Sequence, residues 1–185
     1  GDTGTREKFE TAFCGRLPQQ PGKPLPAMLE SVKGLYVMGA DVVGSAVDPA
    51  QARRRLEALD FLVVQELFMT DTARMADVVL PAACYAEKEG TVTAADRRVQ
   101  RMRKAVEPPG DARPDWQIIR DLAAHLGAAW DYDCAPAVMA EIAALTPAYA
   151  GISYDKLEAG WGVYWPSANG AGERLQLKGL SLRTI

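Results

Sequence analysis

The residues of this 185-residue chain that could do chemistry are mostly hydrogen-bond acceptors and basic donors; nucleophiles are few. Glu66 and Thr70 lie just past an apolar run, Phe61-Leu62-Val63-Val64, and Gln65 separates the run from Glu66. A carboxylate at the end of a second strand is where dinucleotide-binding folds accept hydrogen bonds from ribose hydroxyls. A threonine at a helix start offers a hydroxyl beside unpaired backbone N–H groups, an arrangement that suits phosphate. An earlier apolar run closes on Gly39-Ala40-Asp41, and a glycine there lets a ligand come close to the backbone. Neither GxGxxG nor GxxxxGK[ST] occurs, so pattern alone balances a nucleotide pocket against ordinary loop and cap residues.

Other candidates divide the same way. Glu87-Lys88-Glu89-Gly90-Thr91 reads first as a solvated turn. Arg97, Arg98, Arg101, Arg103 and Lys104 form either a solvated face or a cradle for phosphate oxygens, whose geometry guanidinium groups match. Asp115 sits where a helix cap is expected. The single histidine, His125, falls late in a helix, where it interacts with the dipole, and no second ligand or nucleophile is placed to work with it. Cys14, Cys84 and Cys134 are too widely spaced for a metal knuckle or a disulfide framework, and they read as idle thiols in a reducing, cytoplasmic setting. No GxSxG occurs, so hydrolase chemistry has no support.

The elements that must position these groups follow from periodicity. Residues 1–33, rich in Gly and Pro, read as a connector with a short helix at Ala27–Val32. Leu35–Met38 fits a buried strand ending at Gly39. Asp48-Pro49-Ala50-Gln51 announces a helix, to about Leu59, with Asp48 as cap and Pro49 in the first turn. Ala52, Leu56 and Leu59 should face inward. Phe61–Val64 is apolar on both faces, as a strand inside a parallel sheet must be. A short helix opens at Thr70 and ends near Met75, and Asp77–Pro81 is a third strand. Such strand–helix alternation implies right-handed crossovers and an α/β fold, a Rossmann-like parallel sheet with helices on both faces. A polar loop is expected over Glu87–Gln100. Helices are expected over Asp115–His125, with Ile119, Leu122, Ala123 and Leu126 on one face, and over Pro136–Leu145. The α/β domain is placed at residues 34–150, followed by a tail from 151 to 185.

Composition limits the function classes. A net charge of -3 argues against nucleic-acid or anionic-membrane binding, which requires a basic surplus. No apolar run is long enough for a membrane span. The chain opens Gly-Asp-Thr-Gly without a methionine, which reads as a fragment boundary.

Three stretches are distinctive in order and spacing: Phe61–Pro81 (FLVVQELFMTDTARMADVVLP), Glu87–Gln100 (EKEGTVTAADRRVQ) and Val106–Ile119 (VEPPGDARPDWQII). Tyr149–Glu158 and Tyr164-Trp165-Pro166 add to them. Together they resemble the molybdopterin oxidoreductase family, in particular the catalytic subunit of formate dehydrogenases or the related large iron–sulfur subunit of NADH-quinone oxidoreductase. The likeness covers about residues 34–166.

The resemblance implies a formate dehydrogenase/DMSO reductase-type domain holding one nucleotide arm of bis-molybdopterin guanine dinucleotide, with molybdenum or tungsten. It implies electron transfer to a [4Fe–4S] cluster held elsewhere in the parent. It places Glu66 at the guanosine ribose and Thr70 beside the pyrophosphate, with Gly39, Asp41 and Gln65 on the adjoining loops. Gly90 and Thr91 belong to a Glu-Gly-Thr turn, Arg97 and Gln100 to a polar stretch near the pterin, and Asp115 to a helix near the nucleotide. Many relatives carry asparagine in the turn where this chain has Ala94 or Ala95, which removes one polar contact. Implied partners are the remaining domains of a parent chain and other subunits of an electron-transfer complex, with peripheral attachment to the inner membrane through them. The isolated chain is expected to have no turnover. Two other readings stand beside this one: a scaffold domain of the NADH-quinone oxidoreductase subunit that has lost molybdenum, and a nucleotide-binding module of unrelated function.

Overall fold

The structure, a computed structural model, describes residues 3–168. The described residues divide into two compact units, 3–88 with 104–130, and 89–103 with 131–168. The span 34–150 expected as one domain therefore contributes to both, and the expected tail supplies elements of the second. Its last part, 169–185, lies outside the described residues.

The first unit holds helices α1 (Thr3–Ala12), α2 (Leu25–Met28), α3 (Pro49–Glu57) and α4 (Asp115–His125), and strands β1 (Gly34–Met38), β2 (Phe61–Glu66) and β3 (Val78–Pro81). The strands form one parallel sheet in the order β1-β2-β3, with Tyr36 opposite Val63 and Val63 opposite Val78. α3 starts as the sequence requires. The Asp48 carboxylate accepts the Gln51 N–H at 2.9 Å, and Pro49 occupies the first turn, where its missing N–H costs nothing. Ala52 and Leu56 turn onto the sheet. Leu56 joins Val37, Leu62, Val64 and the 3-10 turn at Ala73–Met75 in one core. Full burial of an aliphatic side chain such as Val64 contributes about 1.5–3 kcal/mol. α4 approaches the opposite face through Asp115, so helices flank the sheet on both sides.

The second unit holds β4 (Gly90–Thr93), β5 (Arg98–Met102), α5 (Ala135–Leu145), α6 (Tyr154–Ala159) and β6 (Val163–Tyr164). Its sheet is antiparallel, in the order β4-β5-β6. Val99, Met139, Ile152, Leu157 and Val163 form its core.

Several sequence expectations change. The polar loop expected over Glu87–Gln100 is largely a hairpin, with Thr91 opposite Arg101. Val92 and Val99 are its only large apolar residues before Met102, too few to announce two strands, and pairing supplies what periodicity did not. The connector contains α1, an unforeseen helix supported by Arg6–Glu10 and Phe9–Phe13 pairs four residues apart. α2 begins at Leu25 and ends before the expected Val32. In α4 the buried residues are Ile118 and Ala123, while Leu122 and Leu126 are exposed, so the inward stripe is rotated from the one expected. Pro114 occupies the cap position of α4 and Asp115 its first turn, leaving the Asp115 carboxylate for other partners.

Candidate functional site

In an open parallel sheet, ligands bind outside the carboxyl ends of the strands. The tips of β1 and β2 are neighbours: Met38 pairs with Gln65, and the Gly39 N–H donates to the Gln65 carbonyl at 2.9 Å. Gly39 has φ +61, and nothing lies within 4 Å of where a side chain would project, so the backbone turns beside open space. This is the left-handed, unobstructed turn that a ligand approaching the main chain requires.

Asp41 has a different occupation. Its Oδ1 accepts hydrogen bonds from the Thr72 hydroxyl at 2.6 Å, the Thr72 N–H at 3.3 Å and the Gly44 N–H at 3.0 Å. The Thr72 hydroxyl oxygen in turn accepts from the Val43 N–H at 3.0 Å. Thr72 is fully buried, so this clamp ties the loop after β1 to the one after β2. The Thr72 hydroxyl, followed by the Gly44 N–H, holds the Asp41 carboxyl below its ordinary pKa. The charged form is thus favoured on folding. Its stabilisation is fully present above the unfolded value near 3.9 and is lost as pH falls through the lower folded value. Asp41→Asn should therefore flatten the acid limb of the stability curve, as urea titrations between about pH 2 and 6 would measure; an unchanged limb would remove this role.

Gln65 is also committed internally. It is fully buried, its Nε2 donates to Asp115 Oδ1 at 2.7 Å, and its Oε1 accepts the Tyr36 hydroxyl. Asp115 Oδ2 accepts from Lys88. Burial, then the Asp115 carboxylate, raise the Tyr36 pKa. Sequence reasoning placed Gln65 and Asp115 near a ligand and missed Tyr36 and Lys88. The structure joins the four in one network from the sheet to the end of the first unit. Thr72 and Lys88 had only weak signals, one as part of Thr-Asp-Thr and the other within a charged turn.

Two predicted residues keep polar capacity at the tip of β2. Glu66 is half-buried, and one of its oxygens accepts the Leu67 N–H at 2.7 Å. The other has no such bond among those described. Thr70 Oγ1 accepts the Ala73 N–H at 3.1 Å, as a cap does, and its hydroxyl proton remains able to donate. Leu67, Phe68 and Met69, between them, are exposed. A carboxylate acceptor, a hydroxyl donor, an open glycine turn and exposed apolar side chains form a donor set that suits a ribose, a phosphate and a base.

Gly90, Thr91, Arg97 and Gln100 belong to the second unit. Gly90, Thr91 and Gln100 are ladder residues of the hairpin. Arg97 closes the hairpin turn with φ +68, an uncommon conformation for a side-chain-bearing residue, and its guanidinium lies 5.9 Å from the Trp165 ring centroid. Ala94 is in that turn, accepting the Arg97 N–H at 2.9 Å. The basic run is largely neutralised within the units. Arg101 meets Glu89 at 3.6 Å and Glu158 at 2.5 Å, Arg103 meets Glu158 at 2.6 Å, and Lys104 meets Glu107 at 2.7 Å. Arg97, Arg103 and Lys104 are exposed.

Among the described residues, no group of three or more His, Cys, Asp or Glu is placed to hold a metal ion. No helix among them is long and apolar enough to cross a membrane.

A family model described as molybdopterin oxidoreductase matches residues 7–125. The chain is 44% identical over 164 residues to the F420-dependent formate dehydrogenase subunit alpha of Methanocaldococcus jannaschii, covering 85% of this chain and 24% of that protein. It is 48% identical over 164 residues to F420-dependent formate dehydrogenase 2 subunit alpha of Methanococcus maripaludis, with the same 85% and 24% coverage. It thus spans about a quarter of the length of these relatives. Among solved structures, it resembles acetylene hydratase from Pelobacter acetylenicus with a TM-score of 0.59 at 20% identity, covering 73% of this chain and 18% of that one. At that identity the likeness concerns the fold.

Proposed function

Because this chain belongs to the molybdopterin oxidoreductase family, we propose that it is the domain of a longer, formate dehydrogenase-like oxidoreductase that holds one guanosine diphosphate arm of bis-molybdopterin guanine dinucleotide. The observation that supports this reading is the polar capacity left on the loop after β2, at the Glu66 carboxylate and the Thr70 hydroxyl, together with the open turn at Gly39 after the neighbouring strand. Glu66 would accept hydrogen bonds from ribose hydroxyls, and the Thr70 hydroxyl would donate to the pyrophosphate. The exposed side chains of Leu67 and Phe68 offer apolar surface to a base. The Asp41–Thr72 clamp and the Gln65–Asp115 network hold the two tips in place without spending polar atoms on the ligand.

The bound cofactor, carrying molybdenum or tungsten, would supply two-electron oxidation of the substrate, and the protein binds and orients it. Electrons would leave toward iron–sulfur clusters in other parts of the parent. Formate is the proposed substrate, since the named relatives are formate dehydrogenases. By itself the chain is expected not to oxidise formate, because one nucleotide arm is all that its residues are proposed to bind. Formate-dependent dye reduction by the purified chain would contradict this.

The reading is tested on the full-length protein. Denaturation should release a pterin and a guanine nucleotide in equal amounts, two of each per metal; a cofactor without nucleotide, or with another base, would overturn it. Glu66→Ala should weaken guanine nucleotide binding by about 1–3 kcal/mol, roughly 5- to 150-fold, with little change in melting temperature. Unchanged affinity would remove Glu66 from the site.

A further inference from the structure

The methionines of this chain are unevenly exposed, and the exposed ones share a place. Of the six, Met139 is buried and Met28, Met75 and Met102 are half-buried. Met38 and Met69 are exposed, at 51% and 54%. Both belong to the strand tips of the first unit. Met38 is the last residue of β1 and directly precedes the open turn at Gly39. It pairs with Gln65, the neighbour of Glu66 on β2. Met69 lies on the loop after β2 and directly precedes Thr70. Leu67 and Phe68 on that loop are exposed as well.

A thioether is soft and apolar and adapts its shape to what it touches. A peroxide oxidises it in one two-electron step. The sulfur lone pair attacks a peroxide oxygen, the O–O bond breaks, and a sulfoxide and a reduced peroxide (water, from hydrogen peroxide) are formed. The product is polar and chiral and no longer suits an apolar contact. Exposed sulfurs meet the oxidant first, so the reaction falls on the two strand tips before the core. We propose that Met38 and Met69 make loading of this site sensitive to peroxide: in the cofactor-free protein their oxidation blocks the nucleotide, and a bound nucleotide shields them. A nucleotide seated against a sulfoxide strips water from its oxygen, and burying that acceptor without a donor is costly. Methionine sulfoxide reductases reverse the step and restore the thioether. The proposal rests on the reading of these tips as a nucleotide site.

The test uses the full-length protein prepared without cofactor, with GDP as probe and hydrogen peroxide as oxidant. Peptide mass spectrometry follows the sulfoxide at each methionine. Met38 and Met69 should oxidise about fivefold faster than the other methionines of this chain, and saturating GDP should slow both. The oxidised protein should bind GDP about tenfold more weakly. Methionine sulfoxide reductases of both epimer specificities should restore the affinity, and dithiothreitol alone should not, which separates the thioethers from oxidised cysteines. In the double variant Met38→Leu, Met69→Leu, measured against its own untreated affinity, peroxide should change GDP binding by less than about twofold. Unchanged affinity with both sulfurs oxidised, an equal loss in the double variant, or oxidation that GDP does not slow would each overturn the proposal. Absence of GDP binding before peroxide is added would overturn it together with the nucleotide reading, a result distinct from binding that survives oxidation.

Discussion

Gly162→Ala is expected to destabilise the second unit by about 3–5 kcal/mol, combining backbone strain with overpacking. Gly162 has φ +111, a region that residues with a side chain rarely adopt. A Cβ built there would lie 2.4 Å from the Val99 carbonyl oxygen and 3.0 Å from the Cγ atoms of Arg98 and Gln100. The two long side chains can move, but the carbonyl cannot do so cheaply. Val99 is at the centre of the antiparallel sheet, paired with Thr93 on one side and Val163 on the other, and its side chain is in the core with Met139, Ile152 and Leu157. Moving its backbone disturbs both pairings. Urea unfolding followed by near-ultraviolet circular dichroism measures the effect, because Trp161, Tyr164 and Trp165 flank the site. A change below about 1 kcal/mol would mean that β5 and β6 do not approach so closely.

Gln65→Leu is expected to cost the first unit about 2–4 kcal/mol, although leucine has similar volume and suits a buried strand. The substitution removes both ends of the amide at once. The Tyr36 hydroxyl loses its acceptor, and Asp115 loses the neutral donor that shares its carboxylate with Lys88. Both groups left behind are partly exposed, so each lost hydrogen bond costs about 1–2 kcal/mol. Gln65→Glu separates packing from electrostatics. It puts a second carboxylate beside Asp115, so the new group's pKa is raised in the folded state. The variant then gains stability as pH falls through that raised value, and it should be more destabilised at about pH 8 than at about pH 5. If Gln65→Leu were neutral, or if Gln65→Glu showed no such pH trend, the network would not tie β2 to α4.

The parallel half of the molecule was legible because its signals are local and redundant. Phe61–Val64 is a continuous apolar run of strand length, with Leu62 and Val64 buried, and Asp48-Pro49-Ala50-Gln51 carries its own cap. The hairpin over residues 90–102 was not legible, because a polar strand is defined by its neighbour and not by its own periodicity. At the site, Glu66 and Thr70 could be found from their place after a strand, and both retain polar capacity at the tip of β2. The same rule could not tell that Asp41, Gln65 and Asp115 are taken up by partners 31 and 50 residues away in sequence. Thr72 and Lys88, which complete those networks, carried only weak signals. The rotation of the α4 stripe has a similar origin: Ile118 and Ala123 are buried by tertiary contacts that spacing alone leaves undetermined.

The central claim is that the tips of β1 and β2 form a guanine nucleotide site. It is tested most directly by calorimetric titration of the purified chain with GDP, with ADP as competitor and Glu66→Ala as control. The account predicts saturable one-to-one binding of GDP, tighter than ADP and weakened about 5- to 150-fold in the variant. A folded chain that takes up no GDP, or binds it equally well without Glu66, would contradict it.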